Sequence, residues 1–364
     1  MTVDTIPDLL DVPEVAAAGP GHGDAFTDHM VSLSWDPGAG WHDRTVGPLK
    51  PLHLHPATIG LHYAQVVFEG MKAHRGVDGS VSVFRPDRNA VRFQQSARRL
   101  AMPELPAETF LAAVDDLVML DGADLPHDPS ISLYLRPLMF STEPNLMLRP
   151  GEQYRFLLMA FLAGGFFGDD ALAPVSVLVS RDHSRAVAGG TGDVKCAANY
   201  GPSFVAQRLA TEAGCQQVVW LDAAEHRWVE EMGGMNLFFV RRRPGGCEVV
   251  TPRLTGTLLP GVTRDSLLVL ADRLGYAVQE EAVSVDQWRA ECMAGLITEA
   301  FASGTAAVVT PVGSVRDRDG DWVIGDGTPG PVTLRLRRLL LDTQRGLAPD
   351  PDGWRRVVIP GRSG

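Results

Sequence analysis

The feature that most constrains this fold is the alternation of strand-like and helix-like segments, which occurs in two runs. One short stretch with neither the strand period nor the helix period divides the two runs. From His29 to about Gly164, strand patterns such as VSVFRPD and SISLYLRPLMF alternate with the helical patterns RNAVRFQQSARRLAM and AETFLAAVDDLVMLDG. The stretch GGFFGDDALAP breaks both periods. We therefore predict an α/β (α+β) fold with a small domain over 1–164, a linker over 165–174 and a large domain over 175–364.

The second run continues the alternation. Strand patterns are APVSVLVS, QVVWLDA and ITEAFASGTAAVVTPV, and RWVEEMGGMNLFFVRR is typical of a hairpin. Helical patterns are NYGPSFVAQRLATEAG, which should end near Gly214, DSLLVLADRLG, which should stop at Gly275, and the closing VTLRLRRLLLDTQRG. These elements predict a second unit that contains both helices and strands.

Charge and hydropathy exclude several classes of protein. The 44 acidic residues exceed the 33 basic ones, so the net charge of −11 disfavours a nucleic-acid partner. The longest apolar stretch, Phe156 to Phe167, is interrupted by glycines and shorter than the roughly 20 residues of a membrane span, so we predict a buried strand. The first thirty residues lack the basic start of a secretory signal, and we expect a cytoplasmic protein. Four widely spaced cysteines predict free thiols and no metal site.

Lysine is scarce in this chain. Of the 33 basic residues only Lys50, Lys72 and Lys195 are lysines. A guanidinium stays protonated, whereas an amine can lose its proton and attack a carbonyl, so a lysine that persists among arginines is a candidate nucleophile. A surface position is the ordinary alternative for each of the three.

Lys195 has the most suggestive setting, in AGGTGDVKCAANYGPS, after a glycine-rich run. A nucleotide-binding P-loop is excluded, because it needs Gly before the lysine and Ser or Thr after it, and Val194 and Cys196 stand there. Phosphate could instead bind where Gly261 and Thr263 open a helix. A plain helix cap is the alternative at that position.

Two further segments carry groups of the same chemistry. In ASGTAAVV, Gly304 and Thr305 could supply an amide and a hydroxyl to a phosphate. Glu231 precedes the apolar LFFV, and a buried carboxylate there would need a partner such as a protonated pyridine nitrogen. A surface position beside Glu230 is the alternative. An amine, phosphate sites and a carboxylate together suggest pyridoxal phosphate.

Seven motifs stand in one order between His29 and Pro311: LHYAQVVFEGMKAHRG, VFRPDRNAVRF, LYLRPLMFSTEP, GGTGDVKCAANYGPS, VEEMGGMNLFFV, LLPGVTRDSLL and SGTAAVVTPV. With them the chain resembles the branched-chain amino-acid aminotransferases, which are fold-type-IV pyridoxal 5'-phosphate enzymes. The resemblance implies a cofactor between two domains and a homodimer with shared active sites. It also implies ping-pong transfer of the α-amino group between a branched-chain or similar apolar L-amino acid and 2-oxoglutarate.

The resemblance further implies roles for individual residues. Lys195 corresponds to the Schiff-base lysine and proton shuttle, Glu231 to the partner of the pyridine nitrogen, and Tyr200 to the ligand of the ring oxygen. The residues expected at the phosphate are Arg85, Arg185, Val262, Thr263 and Thr305. The residues expected at the substrate are Tyr63, Phe68, Tyr134, Arg136, Phe166, Gly234 and Ala306. Tyr134 and Arg136 are expected to reach into the neighbouring subunit's site.

Departures from the family pattern leave alternatives open. Ala197 and Ala198 replace a common Gly-Gly, and Phe166 replaces a common Tyr. An unusual amino acid of a specialised pathway is therefore an alternative substrate. A D-amino-acid aminotransferase or an aminodeoxychorismate lyase is possible on the same scaffold, because a fold does not fix a function. A non-catalytic metabolite-binding protein is the alternative from another class, although it would not need Lys195.

Overall fold

The computed structural model describes residue 23, residues 25–164 and residues 172–361. The elements of the first part are β1 (His29–Asp36), β2 (Gly40–Pro48), α1 (Ile59–Tyr63), β3 (Val66–Phe68), β4 (Met71–Arg75), β5 (Val81–Phe84), α2 (Pro86–Arg99), α3 (Ala107–Asp121), β6 (Ser132–Ser141) and β7 (Tyr154–Ala163). The helices and strands predicted here from periodicity are thus confirmed, with β7 as the buried strand within the long apolar stretch.

The second part continues after the gap. Its elements are β8 (Val175–Val179), a 3₁₀ turn (Ala197–Asn199), α4 (Ser203–Glu212), β9 (Gln217–Leu221), β10 (Val229–Met232), β11 (Met235–Arg243), β12 (Gly246–Pro252), α5 (Val262–Arg273), β13 (Ala277–Glu281), α6 (Val285–Met293), β14 (Ile297–Gly304), β15 (Val308–Arg316), β16 (Trp322–Val323), α7 (Pro331–Gln344) and β17 (Arg355–Ile359). The predicted hairpin is β10–β11, and α5 begins three residues earlier than DSLLVLADRLG.

The strands form two sheets. The first has the order β17-β5-β4-β6-β7-β1-β2, with β3 paired to β6, and its strand pairs are antiparallel. The second has the order β10-β9-β8-β15-β14-β11-β12-β13, and the extra pairing of β10 with β11 closes six of its strands into a ring. Parallel pairs occur there at β8–β9, β8–β15 and β12–β13.

The last strand crosses between the two parts. The predicted large domain, residues 175–364, includes the C-terminal residues. In the structure, however, β17 pairs with β5 of the first sheet, with Arg355 opposite Phe84. This pairing joins residues 271 positions apart, and no local pattern encodes such a contact. The C-terminal strand therefore belongs with the first sheet.

Aromatic packing fixes α2 and α3 on one face of the first sheet. Phe93 of α2 lies 5.4 Å from Phe110 of α3 and 5.8 Å from Phe156 of β7, measured between ring centroids, and all three are fully buried. Burial of each such side chain contributes about 1.5–3 kcal/mol to stability. In the second part, α5 and α7 pack with Phe238 and Phe301 of the ring, whose side chains are stacked. Each sheet thus has its own core.

Candidate active site

Lys195 lies where the two parts of the chain meet. Its backbone carbonyl accepts a hydrogen bond from the amide of Phe68 in β3 (3.1 Å), and its amide donates to the Ser96 hydroxyl in α2 (3.0 Å). Its Nζ donates to the Tyr200 hydroxyl (2.9 Å) and lies 5.0 Å from the centre of the Phe68 ring. The first part of the chain therefore fixes the position of a lysine that belongs to the second part.

A cavity of about 250 Å³ opens at Lys195 between the two sheets. Its walls come from β3, α2 and β6 on one side, and from the β10–β11 turn, the start of α5 and the β14–β15 turn on the other. The residues predicted from the sequence that line it are Lys195, Phe68, Tyr134, Arg136, Tyr200, Gly234, Val262, Thr263, Thr305 and Ala306. Residues up to 238 positions apart thus meet at one site.

Tyr134 and Arg136 belong to the cavity of their own chain. Two residues apart on β6, they project from the same face of the strand. The Arg136 guanidinium lies 5.3 Å from the centre of the Phe68 ring and 5.5 Å from that of Tyr134. Both side chains line the cavity that contains Lys195 of the same chain, on a strand that pairs with β3, and their reach into a neighbouring subunit stays a prediction.

The start of α5 presents backbone amides to the cavity. The first amides of a helix have no partner within the helix, and the helix dipole favours an anion there. Gly261 precedes the helix in an extended conformation, and a Cβ at this position would collide with Oδ1 of Asn236. The close approach of Asn236 requires this glycine. The cavity is lined here by Val262 and Thr263 and, from the opposite turn, by Thr305.

Arg85 does not reach this cavity among the residues described, which corrects its expected role at a phosphate. It precedes α2 with a left-handed φ of 49°, and its guanidinium donates to the Ser266 hydroxyl (2.7 Å), pairs with Asp265 (2.7 Å) and lies 4.7 Å from the Trp354 ring centre. These contacts lie beside the first turns of α5, outside the cavity. Arg85 therefore supports the helix whose amides face the cavity.

Arg92, which the sequence reasoning missed, lines the cavity instead. Its Nε and Nη2 donate to the two carboxylate oxygens of Glu69 (2.7 and 2.8 Å), and its Nη1 donates to the Pro260 carbonyl (3.1 Å). A guanidinium has five N–H donors, so two are left for a ligand. The sequence feature that could have indicated Arg92 is its spacing of seven residues from Arg85, which places it two helical turns further along α2.

Glu231 lies behind the cavity wall, fully buried on β10. Its Oε1 accepts a hydrogen bond from the Leu259 amide (2.6 Å), and its Oε2 lies 3.1 Å from Nε of Arg185. Burial raises the pKa of Glu231, and Arg185 and the Leu259 amide oppose that rise. The family resemblance implied a phosphate role for Arg185, but its Nη2 donates to the carbonyls of Gly192 (3.0 Å) and Thr257 (2.5 Å). Arg185 is therefore the ionic partner of Glu231.

The model of one protein family, the class IV amino-transferases, matches residues 66–315 and so spans every element around the cavity. The chain belongs to this family. A probable branched-chain-amino-acid aminotransferase of Streptomyces coelicolor is 53% identical over 342 residues, covering 94% of this chain and 93% of that protein. The branched-chain-amino-acid aminotransferase of Mycolicibacterium smegmatis is 50% identical over 355 residues, covering 97% and 96%.

Solved structures agree with the class IV fold. The branched-chain amino acid aminotransferase of Escherichia coli has a TM-score of 0.73 at 28% identity, covering 90% of this chain and 99% of that one. A second branched-chain amino acid aminotransferase, solved with pyridoxamine 5'-phosphate, has a TM-score of 0.72 at 30% identity, with the same coverage. The predicted two-unit α/β architecture is confirmed, as is the prediction that the chain belongs to this enzyme class.

The cofactor of this class, pyridoxal 5'-phosphate, fits the donor set of the cavity. Its phosphate needs amides and a cation, which the start of α5 and the two remaining N–H groups of Arg92 supply. Its aldehyde needs a primary amine, and Lys195 is the lysine of the cavity. Burial lowers the pKa of Lys195, but Tyr200, Glu69 and Tyr134 outweigh this effect and hold that pKa above its ordinary value.

The described cavity of this class IV aminotransferase is not lined by Tyr63, Ala197 or Ala198. Tyr63 is 44% exposed, and its hydroxyl donates to the Leu146 carbonyl (2.8 Å). Ala197 and Ala198 form the 3₁₀ turn after Lys195 and are not among the residues that line the described cavity. Phe166 lies outside the described residues. The two alanines therefore do not change the described walls.

Lys72 supports the β14–β15 turn, which forms part of the cavity wall. It is buried on β4, and its Nζ donates to the carbonyl of Ala306 (2.9 Å) in the β14–β15 turn. Burial and the nearby guanidinium groups of Arg337 and Arg345 lower its pKa to about 8. This hydrogen bond connects the first sheet to the turn that carries Thr305.

The described ranges contain neither a membrane-spanning helix nor a candidate metal cluster. No helix there is both long and apolar enough to cross a membrane. The same residues contain no group of three or more His, Cys, Asp or Glu side chains that could hold a metal ion. The cysteines are free thiols, at positions 196, 215, 247 and 292.

Proposed function

We propose that this chain transfers the α-amino group between L-leucine, L-isoleucine or L-valine and 2-oxoglutarate, with pyridoxal 5'-phosphate as its cofactor. The observation that carries the proposal is Lys195, whose amine lies in the cavity between the two sheets and near the amides of α5. The curated relatives at 50–53% identity, named branched-chain-amino-acid aminotransferases, support the same substrate class.

Each residue of the site has a chemical task in this proposal. The bound cofactor supplies an electron-accepting ring conjugated to the substrate α-carbon. Lys195 holds the cofactor through its amine and then moves the proton from the α-carbon. Glu231 lies behind the wall where it can keep the ring nitrogen protonated, and Tyr200 donates to the ring oxygen. Arg92, Val262, Thr263 and Thr305 bind the phosphate.

The substrate faces the first sheet. Arg92 is paired with Glu69, whereas Arg136 lines the cavity together with Lys195. We therefore propose that the Arg136 guanidinium binds the substrate carboxylate. Phe68, Tyr134 and Ala306 provide apolar walls, and Gly234 leaves room opposite them. Apolar walls on this side of the cavity suit a branched side chain.

Steady-state assays test the substrate class directly. The purified holoenzyme is incubated with 2-oxoglutarate and, in separate reactions, with L-leucine, L-isoleucine, L-valine, their D-enantiomers and a panel of polar amino acids. We expect glutamate to form fastest with the three branched L-amino acids. Faster turnover of a D-amino acid, or release of pyruvate from aminodeoxychorismate, would assign one of the alternative class IV reactions instead.

We also propose that the chain works as a homodimer in the cytoplasm. An exposed apolar patch supports self-association: Leu61 of α1 is 65% exposed, and Met147 and Leu148 of the loop after β6 are 59% and 89% exposed. Tyr63 connects α1 to that loop through the carbonyl of Leu146. Contiguous exposed apolar surface is typical of an interface. Sedimentation should give a dimer for the wild type and a larger monomer fraction for Leu148→Asp.

A further inference from the structure

A second cavity lies beside β10. The register of β10 with β9 shifts between Val229 and Met232, and the two adjacent glutamates there have different partners: Glu231 accepts from the Leu259 amide, whereas Glu230 accepts from the Thr257 hydroxyl. Glu230 is part of the lining of a cavity of about 440 Å³. Its other walls come from the β9–β10 turn and from the loop between β12 and α5. The residues that line this second cavity are different from those that line the active-site cavity.

The walls of this second cavity are mainly apolar. Trp228 and Leu258 provide the largest apolar side chains, and Val187 and several alanines complete the surface. Arg253, which is exposed, lies at the same cavity. A concave apolar site of this size with a few polar groups is typical of small-molecule binding.

Glu230 is the unsatisfied group of the second cavity. It is only 4% exposed, its Oε1 accepts a hydrogen bond from the Thr257 hydroxyl, and its Oε2 has no hydrogen-bond partner in the described parts of the chain. The nearby Arg185 is committed to Glu231 and to the carbonyls of Gly192 and Thr257. A buried carboxylate is normally paired, so a donor is missing here.

We propose that the second cavity binds a small organic amine with an apolar body. Its protonated nitrogen donates to the carboxylate of Glu230, and its hydrocarbon part packs against Trp228 and Leu258. A cationic donor satisfies both the charge and the hydrogen-bonding capacity of the carboxylate, whereas a neutral apolar ligand would satisfy neither.

The second cavity is connected to the active site through one residue. The Thr257 hydroxyl donates to Glu230, and the Thr257 carbonyl accepts from Arg185, the ionic partner of Glu231. A ligand that draws Glu230 toward itself therefore acts on the backbone that holds Arg185. Occupancy of the second cavity should change the absorbance of the bound cofactor.

Calorimetric titration of the holoenzyme with N,N-dimethylbenzylamine tests the proposal. A tertiary amine cannot condense with the cofactor aldehyde, so active-site chemistry does not contribute to the signal. Because burial raises the pKa of Glu230, the titration is run at pH 8, where the carboxylate is ionised more completely than at neutral pH and the amine is charged. We expect one equivalent bound per chain and at least tenfold weaker binding of isobutylbenzene, the neutral molecule of the same shape.

Two variants locate the bound amine. Glu230→Gln should weaken binding at least tenfold, whereas Glu225→Gln, which removes an exposed charge from the adjoining turn, should leave it unchanged. Ala223→Phe places a large side chain in the second cavity and should abolish binding of the amine. This variant tests the location of the bound amine even if Glu230→Gln does not fold. Absence of binding to the wild type, or equal binding by Ala223→Phe, would overturn the proposal without affecting transamination.

Discussion

Nε of Arg185 lies 3.1 Å from Oε2 of Glu231, and both side chains are buried. Burial raises the pKa of Glu231, and the Arg185 guanidinium opposes that rise. The pairing predicts what removal of the guanidinium does. Arg185 lowers the pKa of Glu231, so its loss should raise that pKa further.

Arg185→Gln should therefore move the acidic limb of the activity profile to higher pH and lower kcat at neutral pH by about tenfold or more. The measurement is kcat/KM against pH at saturating cofactor. Arg208→Gln, on the exposed face of α4, is the matched control and should reproduce the wild-type profile. An unchanged acidic limb in folded Arg185→Gln would show that Arg185 does not tune Glu231.

Lys195→Arg and Lys195→Ala should both lose at least about a thousandfold in turnover, because neither side chain can hold the cofactor covalently and return the proton. Spectra of the purified variants, together with single-turnover assays, provide the measurement. Lys50→Arg makes the same change at an exposed lysine and should retain full activity. Near-normal transamination by Lys195→Arg would disprove the assignment.

Arg92 and Arg85 can be separated by cofactor retention. Removal of Arg92 alone leaves Glu69 buried without its partner, which costs about 3–5 kcal/mol. We therefore pair Arg92→Gln with Glu69→Gln, and we expect the double variant to release pyridoxal phosphate at least tenfold more readily in equilibrium dialysis. Arg85→Gln should have a smaller effect, because Arg85 supports α5 from outside the cavity. The opposite order would restore Arg85 as the phosphate ligand.

Subunit mixing tests the finding that Arg136 and Lys195 line the cavity of one chain. A mixed dimer of Lys195→Ala and Arg136→Ala subunits contains one defect in each site, so activity should stay at the level of the separate variants. Exchange is verified with differently tagged subunits. Recovered activity would mean that Arg136 serves the partner's site.

His74 makes stability depend on pH. It is buried on β4, and burial, followed by the charges of Lys72, Arg345 and Arg355, lowers its pKa to about 3. Its folded pKa is below the unfolded value of about 6.5, so the stabilisation is present above pH 6.5 and is lost as the pH falls toward 3. The contribution is about 1.4 kcal/mol per pH unit within that window.

His74→Gln should therefore show a shallower loss of unfolding free energy between pH 6.5 and pH 4.5 in urea titrations. His53→Asn, which changes an exposed histidine, is the control and should match the wild-type slope. Equal slopes for wild type and His74→Gln would contradict the predicted role of His74.

Local pattern determined the elements and the chemistry of this protein. Apolar periodicity and helix punctuation placed α2, α3, α5 and α7 and the β10–β11 hairpin, because these signals lie within a few residues of one another. The scarcity of lysine left three candidates, of which the glycine-rich run before Lys195 favoured that one, and Gly261 and Thr263 indicated a phosphate site at the first amides of a helix. Lys195 and Thr263 line the cavity, and Gly261 precedes α5, whose first residues line it as well.

Tertiary structure alone decided which charged groups meet. Arg85 and Arg92 lie seven residues apart in the same motif, yet only Arg92 faces the cavity, because Glu69 and Pro260 hold its guanidinium there. Arg185 is the partner of Glu231 for the same reason. A buried charge is positioned by partners that are distant in sequence, and the sequence pattern carries no record of those contacts.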